Sequence, residues 1–253
     1  MMGAHHAVCG AATWVAITGT GPLMLGWYPM GPTQVAAGGL VCAGAALLPD
    51  ADHHRASIAR SLPPISGWIC AGVGAVSGGH RHATHSLLAA LAATALAWAL
   101  HLITAPTSAG DLAVGAGALA VVLFALAARA LHLTRGTITA WVCALVAGAF
   151  VAEAAPHSIT WLPLAVGLGY VVHIAGDMLT TGGVPLLWPL TPRPSQQLLT
   201  RAPLLARMWR TNGYVAVPVL GNTGSVREWI LALAISAYTA LGALWVLTRI
   251  IVG

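Results

Sequence analysis

The chain contains no lysine and carries little charge of either sign. All eleven cationic side chains are arginine, only six carboxylates are present, and charged residues make up 7% of the 253 positions. Soluble domains carry roughly 25% charged residues, so this composition excludes an ordinary soluble enzyme. Apolar residues make up 58% of the chain, with a mean hydropathy of +0.81, which indicates a protein embedded in a lipid bilayer.

Several familiar sequence signals are also missing. The four cysteines have no CxxC spacing, so they predict neither a disulfide framework nor a cysteine metal site. HExxH and GxSxG do not occur, which argues against a zinc protease or a serine hydrolase. The first residues lack the basic region of a cleavable signal peptide. Arginine and aromatic residues are not interleaved for base stacking, so the net charge of +5 indicates membrane topology, with no nucleic-acid partner.

The chain does contain apolar segments long enough to cross a bilayer, which takes about 20 helical residues. We predict an all-α, multi-pass transmembrane bundle of about seven helices. The clear spans are 84–105, 111–133, 137–155, 158–180 and 228–251, and two shorter Ala/Gly-rich stretches, 7–20 and 34–48, could be short spans packed among them. Segment 65–79 is too short to cross twice and is predicted to be a re-entrant or interfacial helix. Residues 1–253 form a single membrane-embedded domain, with 182–227 as a cytoplasmic loop or cap within it.

The distribution of arginine predicts how the bundle is oriented. Every arginine except Arg249 lies in or beside the loops on one side of the predicted bundle, whereas the opposite loops at 21–33, 106–110 and 156–157 contain none. Because arginine-bearing loops stay on the cytoplasmic side, the protein is predicted to lie in the cell (inner) membrane with its N-terminus in the cytoplasm. The histidine clusters then share the cytoplasmic face.

Three clusters of histidine and aspartate interrupt the apolar chain, at the ends of the predicted helices. They read Asp50-Ala51-Asp52-His53-His54, His80-Arg81-His82-Ala83-Thr84-His85 and His173-Ile174-Ala175-Gly176-Asp177. Placing an ionisable group inside the membrane costs free energy, so such a group is expected to have a charged or polar partner or a function. Histidine with carboxylate is the ligand chemistry of zinc and related cations. The clusters therefore predict a metal site inside a membrane protein.

Each cluster also has a plainer interpretation. His173 and Asp177 share one helix face at i, i+4 spacing, and they could form only a hydrogen bond that caps the helix. The two aspartates of the first cluster could cap a helix in a solvated loop. His80 and His85 are five residues apart, which is wrong for one helical face, and they could converge if His80 lies in the Gly78-Gly79 loop and Thr84 caps the helix that His85 starts.

Four motifs in this order resemble those of the YdjM-like family of inner-membrane proteins, whose metal-dependent hydrolase activity is itself an inference. The family's M-x-G-x-x-H resembles residues 1–6 and singles out His6 over His5. Its LLPDxDH stands at 47–53, its HRxxTHS at 80–86 and its HxxGDxxTxxG at 173–183. The motifs span residues 1–183 and are specific together. The C-terminal third matches only as an arginine-bearing loop and a final helix.

The resemblance and the clusters together imply a metal-binding site. The candidate ligands are His6, Asp50, Asp52, His53, His80, His85, His173 and Asp177. They would hold one or two divalent cations, zinc first, with manganese or magnesium as alternatives. One of Asp50 and Asp52 would bind metal while the other serves as base; Asp50 and Arg81 are the candidate catalytic residues, the latter for phosphoryl oxygens.

The function implied is a membrane-bound hydrolase that uses metal-activated water. A distant similarity to zinc-dependent phospholipase C and P1-type nucleases favours a phosphoester, in an amphiphilic small-molecule substrate that enters from the inner leaflet. The alternative is a non-enzymatic membrane transporter or a metal-binding scaffold. A transporter would place its ionisable groups near the bilayer midplane, whereas here they cluster at one end. The sequence does not specify an oligomeric state.

Overall fold

A computed structural model describes residues 1–108, 110–154 and 158–252. Ten helices occur in these ranges: α1 Gly3–Thr18, α2 Pro32–Ala45, α3 Ile65–Ser77, α4 Leu87–His101, α5 Val114–Ala130, α6 Thr137–Glu153, α7 Trp161–Met178, α8 Gln196–Arg201, α9 Pro203–Met208 and α10 Val226–Val252. The loop at 156–157 and residue 155, the end of one predicted span, lie outside the described residues.

The all-α prediction is confirmed, with one small exception. Seven of the helices, α1, α2, α4, α5, α6, α7 and α10, overlap the seven predicted spans, and α3 overlaps the predicted short helix. A two-stranded antiparallel hairpin, β1 Ala105–Thr107 and β2 Gly110–Leu112, precedes α5. Asp111 pairs with Pro106 in this hairpin, so α5 begins at Val114, three residues later than the predicted span.

Three segments are long and apolar enough to cross a membrane by length and composition: Pro32–Asp52, Trp161–Met178 and Val226–Val252. The helices α3, α4, α5 and α6 are apolar but shorter than 18 residues. A fold with several apolar helices of this kind is that of a membrane protein.

The centre of the bundle is formed by α1, α2 and α7, which pack against one another. Small residues allow this close approach. A Cβ atom at Gly10 of α1 would lie 2.7 Å from the carbonyl oxygen of Cys42 in α2, and one at Gly169 of α7 would collide with the same oxygen from the other side. The helix α5 packs on α2 and α6 packs on α5. The three central helices therefore approach one another closely enough for their backbones to touch.

By contrast, α10 lies at the edge of the bundle. Only 17% of the most apolar 18-residue stretch of α10 is buried, whereas 61% of the corresponding stretch is buried in each of the spans that contain α2 and α7. It packs mainly on α1, with a smaller contact to α2. Most of its surface is thus available to lipid.

The helix ends bring the three sequence clusters to one end of the bundle. The helices α1 and α4 begin there, and α2 and α7 end there. Asp50 and Asp52 lie in a 3₁₀ turn, Leu48–Asp52, directly after α2, and His85 closes another, Ala83–His85, just before α4. Sequence-distant motifs therefore become neighbours because the starts of α1 and α4 and the ends of α2 and α7 meet at this end of the bundle.

Two turns near the cluster have helix caps that the sequence did not predict. The residue that caps the C-terminus of α3 is Gly78, whose left-handed backbone (φ 84°) suits glycine. The cap of α4 is Ser86, whose Oγ accepts a hydrogen bond from the backbone N–H of Ala89 at 3.2 Å. Thr84 is not the cap, because its hydroxyl instead donates to Asp52 at 2.5 Å. His80 and His85 nevertheless come together, with ring centroids 5.4 Å apart.

Candidate metal centre

Seven ligand-type side chains from five parts of the chain meet at this end of the bundle. They form two groups, Asp50, Asp52, His80 and His85 in the first and His6, His173 and Asp177 in the second, and within each group the candidate ligand atoms lie within 4.8 Å of one another. We call these seven residues the metal cluster. Buried histidine and aspartate groups of this kind could hold a metal ion.

The two groups adjoin through four atoms that converge on one point. His85 Nε2 lies 3.2 Å from His173 Nε2, 3.5 Å from Asp177 Oδ2 and 3.8 Å from Asp50 Oδ1. His173 Nε2 lies 3.7 Å from Asp50 Oδ1 and 3.8 Å from Asp177 Oδ2. Ligands at zinc-to-ligand distances of about 2.0–2.2 Å stand about 3.3–3.6 Å apart around a tetrahedral ion. Five of the six distances among the four atoms are therefore close to the separations expected around a single cation.

The hydrogen bonds of the two histidines assign their tautomers. His173 Nδ1 lies 2.7 Å from the carbonyl oxygen of Ala46, which can only accept, so Nδ1 carries the proton. His85 Nδ1 lies 3.0 Å from the Thr84 hydroxyl oxygen and 3.3 Å from Asp52 Oδ2, so it also carries a proton. Both Nε2 atoms then point into the cluster, where each can bind a proton or a cation. This is the pattern of metal-binding histidines, whose other ring nitrogen donates to an oxygen.

Asp52 is the acceptor that holds the first group together. Its oxygens contact His80 Nδ1 at 3.0 Å, the backbone N–H of Arg81 at 3.0 Å and the hydroxyl of Thr84 at 2.5 Å, as well as His85. Its side chain is fully buried. With this many donors around it, Asp52 is placed to orient His80 and His85, while Asp50 directs an oxygen at the convergence point.

Arg81 connects the two groups. Its guanidinium donates to Asp177 Oδ1 at 2.8 Å and to the Thr180 hydroxyl at 3.1 Å. Its backbone is left-handed (φ 57°), which is unfavourable by about 1–2 kcal/mol for a residue other than glycine. The hydrogen bond from its N–H to Asp52 stabilises this conformation. The side chain is 17% exposed, so the guanidinium borders the cluster from the solvent side.

His6 completes the second group from α1. Its Nε2 lies 3.2 Å from Asp177 Oδ1, and its ring stacks on His173 with centroids 3.7 Å apart. The amino group of Met1 also contacts Asp177 Oδ1. Asp177 therefore offers one oxygen to the His6 side and the other to the His85–His173 side.

His85 lies in the 3₁₀ turn ahead of α4, outside the helices. Burial lowers its pKa, but hydrogen bonds and the negative charge of Asp50 and Asp52 outweigh burial and raise the pKa to about 9. The same carboxylates that favour a proton on His85 also favour a cation, so the two compete for one position.

The remaining candidates lie at the rim. The His80 side chain is 40% exposed and the Asp50 side chain 17% exposed. The ring of His53 lies 4.5 Å from that of His80, and its Nδ1 accepts a hydrogen bond from the N–H of Arg55. His53 lies outside both ligand groups. The open side of the cluster is therefore the side of Asp50, His80 and His53.

Sequence reasoning overlooked some residues that position the cluster. Thr84 and Thr180 contact Asp52 and Arg81, and the Tyr170 hydroxyl donates to the carbonyl oxygen of Thr84 at 2.7 Å. Both threonines belong to the quoted motifs, which was the available signal. A further buried pair, His5 Nδ1 and Glu228 Oε1 at 2.6 Å, joins α1 to α10, and nothing in the spacing of those residues indicated it.

Comparison with known proteins gave a match to a family. A family model described as "YdjM inner membrane protein" matches residues 1–250, nearly the whole chain. Searches of curated proteins and of solved structures gave no match.

Proposed function

The chain belongs to the YdjM inner membrane protein family, and from this membership and the metal cluster we propose a membrane-bound, metal-dependent hydrolase. Its substrate is a phosphoester in an amphiphilic, lipid-like molecule. The protein is multi-pass, and the cluster lies at the cytoplasmic face of the inner membrane.

One observation carries the metal part of the proposal. His85 Nε2 and His173 Nε2 lie 3.2 Å apart in a fully buried place, and both Nδ1 atoms already donate to oxygen. Two lone pairs at this distance repel unless a proton or a cation lies between them. Two carboxylates, Asp50 and Asp177, supply the negative charge that a divalent cation requires. This donor set suits zinc, and also manganese.

A bound cation supplies Lewis acidity and lowers the pKa of water. The side chains of the cluster would move the proton and stabilise the negative charge. Asp50, at the open side, accepts the proton of the attacking water, while Arg81 balances negative charge on the phosphoryl oxygens. The oxygen of water bonds to phosphorus, the phosphorus–oxygen bond to the alcohol breaks, and the alcohol leaves with the proton that Asp50 took from the water. Magnesium is a third possible ion, and a second ion would use His6 with Asp177.

The experiment begins with full-length protein purified in detergent. We expect bound zinc or manganese by elemental analysis and metal-dependent release of phosphate from alkyl phosphates. His54→Ala is the matched control for the ligand histidines, because His54 is an exposed neighbour of the cluster. His85→Ala should lose metal and turnover while His54→Ala retains both. Protein without metal, whose phosphatase activity no divalent ion restores, would overturn the proposal.

A reporter placed near Gln196 tests the orientation. Gln196 lies in the arginine-bearing 182–227 segment, so the reporter should read as cytoplasmic. An external signal would move the cluster, and with it the substrate, to the outer leaflet.

A metal-binding scaffold without activity is the second candidate. It is favoured by the complete burial of His85 and His173, because structural metal sites are closed whereas catalytic ones keep an open position. Metal bound at full stoichiometry, with no hydrolysis across phosphomonoesters and phospholipids, would support it. Uptake of the same ion into vesicles that contain the protein would support a transporter.

A further inference from the structure

Residues 180–182, which follow α7, form a surface on which the Arg81 guanidinium lies. The Thr180 hydroxyl donates to the carbonyl oxygen of Asp177 at 2.8 Å, so its oxygen can accept the hydrogen bond from Arg81 Nη1 at 3.1 Å. A Cβ atom placed on Gly182 would collide with the same Nη1, and its next two nearest atoms also belong to Arg81. The guanidinium therefore occupies the space that a side chain at position 182 would fill.

Backbone hydrogen bonds to the chain that precedes α10 hold this segment in place. Before position 182, the N–H of Thr181 donates to the carbonyl oxygen of Gly221 at 3.0 Å. After it, Val184 and Val215 exchange two backbone hydrogen bonds, at 3.0 and 2.9 Å. The segment is thus attached on both sides of Gly182, which limits how far it can move away from the guanidinium.

Arg210 adds a side-chain contact to the same segment. Its Nη2 donates to the carbonyl oxygen of Thr181 at 2.8 Å. The backbone of Arg210 is itself held in a tight turn, because its N–H donates to the carbonyl oxygen of Tyr214 at 2.8 Å and its carbonyl oxygen accepts from the N–H of Gly213 at 2.9 Å. A planar guanidinium anchored in this way restrains the direction of the peptide group that joins Thr181 to Gly182.

Arg81 keeps N–H groups available for a substrate in this position. A guanidinium carries five N–H donors, and the contacts to Thr180 and to Asp177 Oδ1 use one from Nη1 and one from Nη2. The side chain of Arg81 is 17% exposed, so a ligand on the solvent side of the cluster can use the remaining donors.

We propose that Gly182 and Arg210 are positioning residues that hold the Arg81 guanidinium beside the metal cluster for the phosphoryl oxygens of the substrate. Gly182 leaves the space that the guanidinium occupies, and Arg210 keeps the segment that contains Thr181 in place. The proposal rests on the hydrolase function, in which Arg81 faces the phosphoryl group, and it gives the chain before α10 a part in binding that group. A guanidinium held in one orientation loses less conformational entropy when it binds an anion than a free one does.

The first test measures binding of inorganic phosphate to the full-length, metal-loaded protein in detergent. Gly182→Ala should displace Arg81, because the far end of that side chain can move more easily than the backbone. The dissociation constant of phosphate should rise about 10- to 100-fold, the usual result of losing a hydrogen bond between charged groups, while the metal content stays at the wild-type value. Gly72→Ala on α3 is the matched control, because, apart from its own chain neighbours, no described side chain lies within 4 Å of a Cβ atom placed there. An unchanged dissociation constant in Gly182→Ala would overturn the proposal.

A second variant, Arg210→Ala, should raise the same dissociation constant about 3- to 10-fold, because it removes one hydrogen bond to Thr181 while the backbone bonds remain. Arg207→Ala removes the same charge from an exposed position on α9 and is the control. If Arg207→Ala weakens phosphate binding as much as Arg210→Ala does, the effect is one of net charge, and Arg210 is not a positioning residue.

A double-mutant cycle separates the positioning of Arg81 from damage to the fold. In protein that already carries Arg81→Ala, the addition of Gly182→Ala or Arg210→Ala should weaken phosphate binding no further, because the group through which both act is absent. A full additional loss in that background would mean that these residues act on the fold and not on Arg81.

Chemical modification of Arg81 measures its position without any substrate. Phenylglyoxal reacts with accessible guanidinium groups, and mass spectrometry gives the rate at each arginine. Gly182→Ala and Arg210→Ala should speed the modification of Arg81 but not that of Arg207. Unchanged reactivity of Arg81 in both variants would overturn the positioning, although the hydrolase would stand. Faster modification in a protein that binds no phosphate would support the positioning but overturn the phosphoester function on which it rests.

Discussion

The metal cluster and the His5–Glu228 pair use adjacent histidines of α1, and each joins a buried histidine to a buried carboxylate. Their surroundings differ. Glu228 accepts hydrogen bonds from the backbone N–H groups of Met2 at 2.7 Å and Gly224 at 2.9 Å, so its charge is balanced by fixed donors. Asp177 also accepts from a fixed donor, the Arg81 guanidinium, through one oxygen, but its other oxygen and Asp50 Oδ1 face the Nε2 atoms of His85 and His173. A buried carboxylate satisfied by backbone N–H groups joins two parts of the fold, whereas carboxylate oxygens that face two imidazole nitrogens leave a place for a proton or a cation between them.

The largest effect on metal content is expected at Asp177, where the comparison predicts a bound cation. Asp177→Asn keeps the volume but removes a charge that both ligand groups share, so bound metal should fall to near zero and hydrolysis should fall with it. Elemental analysis of the purified variant measures the loss.

The matched control for this variant is Asp111→Asn, the same chemical change in the exposed hairpin. Asp111→Asn should retain full metal content. If the two variants contain equal amounts of metal, Asp177 is not a ligand, and the cluster is no different from the Glu228 pair.

The sequence predicted much of this arrangement, and the reasons are physical. Apolar runs of helical length predict helices wherever they occur, so the seven long helices could be located from the sequence. The clusters could be grouped because ionisable residues in so apolar a chain are few, and each lies at a helix end. Some local details could not be predicted: the 3₁₀ turns, the capping by Ser86 and the role of Thr84. They depend on which hydrogen-bond donors lie next to Asp52 in the folded chain. Glu228 was overlooked since its partner lies 223 residues away.

A smaller effect is expected at Thr84, which positions ligands without being one. Thr84→Val keeps the shape but removes the hydroxyl that donates to Asp52 and contacts His85 Nδ1. Removal of such an outer partner typically weakens metal affinity about 10- to 100-fold, which competition with a chelator can measure. Thr94→Val on α4 is the control, because the Thr94 hydroxyl donates within its own helix to the carbonyl oxygen of Ala90 at 2.8 Å. Equal affinities in the two variants would show that Asp52 does not position His85.

The metal affinity should also depend on pH through His85. Its pKa is raised to about 9, so below that pH the cation must displace a proton from Nε2. Apparent affinity should therefore rise about tenfold for each pH unit between about pH 6 and about pH 8. Titration with a metal indicator at several pH values measures the slope. A flat profile would mean that no proton leaves the cluster when the ion binds.

The smallest effect on metal content is expected at Glu228, which therefore gives the clearest contrast with Asp177. Glu228→Gln removes the charge that faces His5 and leaves its backbone donors with a neutral acceptor. Metal content should stay at the wild-type value, because the cluster shares no atom with this pair. Stability should fall by about 1–3 kcal/mol, the usual result of disturbing a buried, hydrogen-bonded carboxylate. A lower thermal midpoint in detergent, with unchanged metal by elemental analysis, would show that α10 is joined to α1 independently of the cluster. Loss of metal from Glu228→Gln would instead mean that the contact between α1 and α10 holds His6 in place, and the two regions would then have to be treated as one.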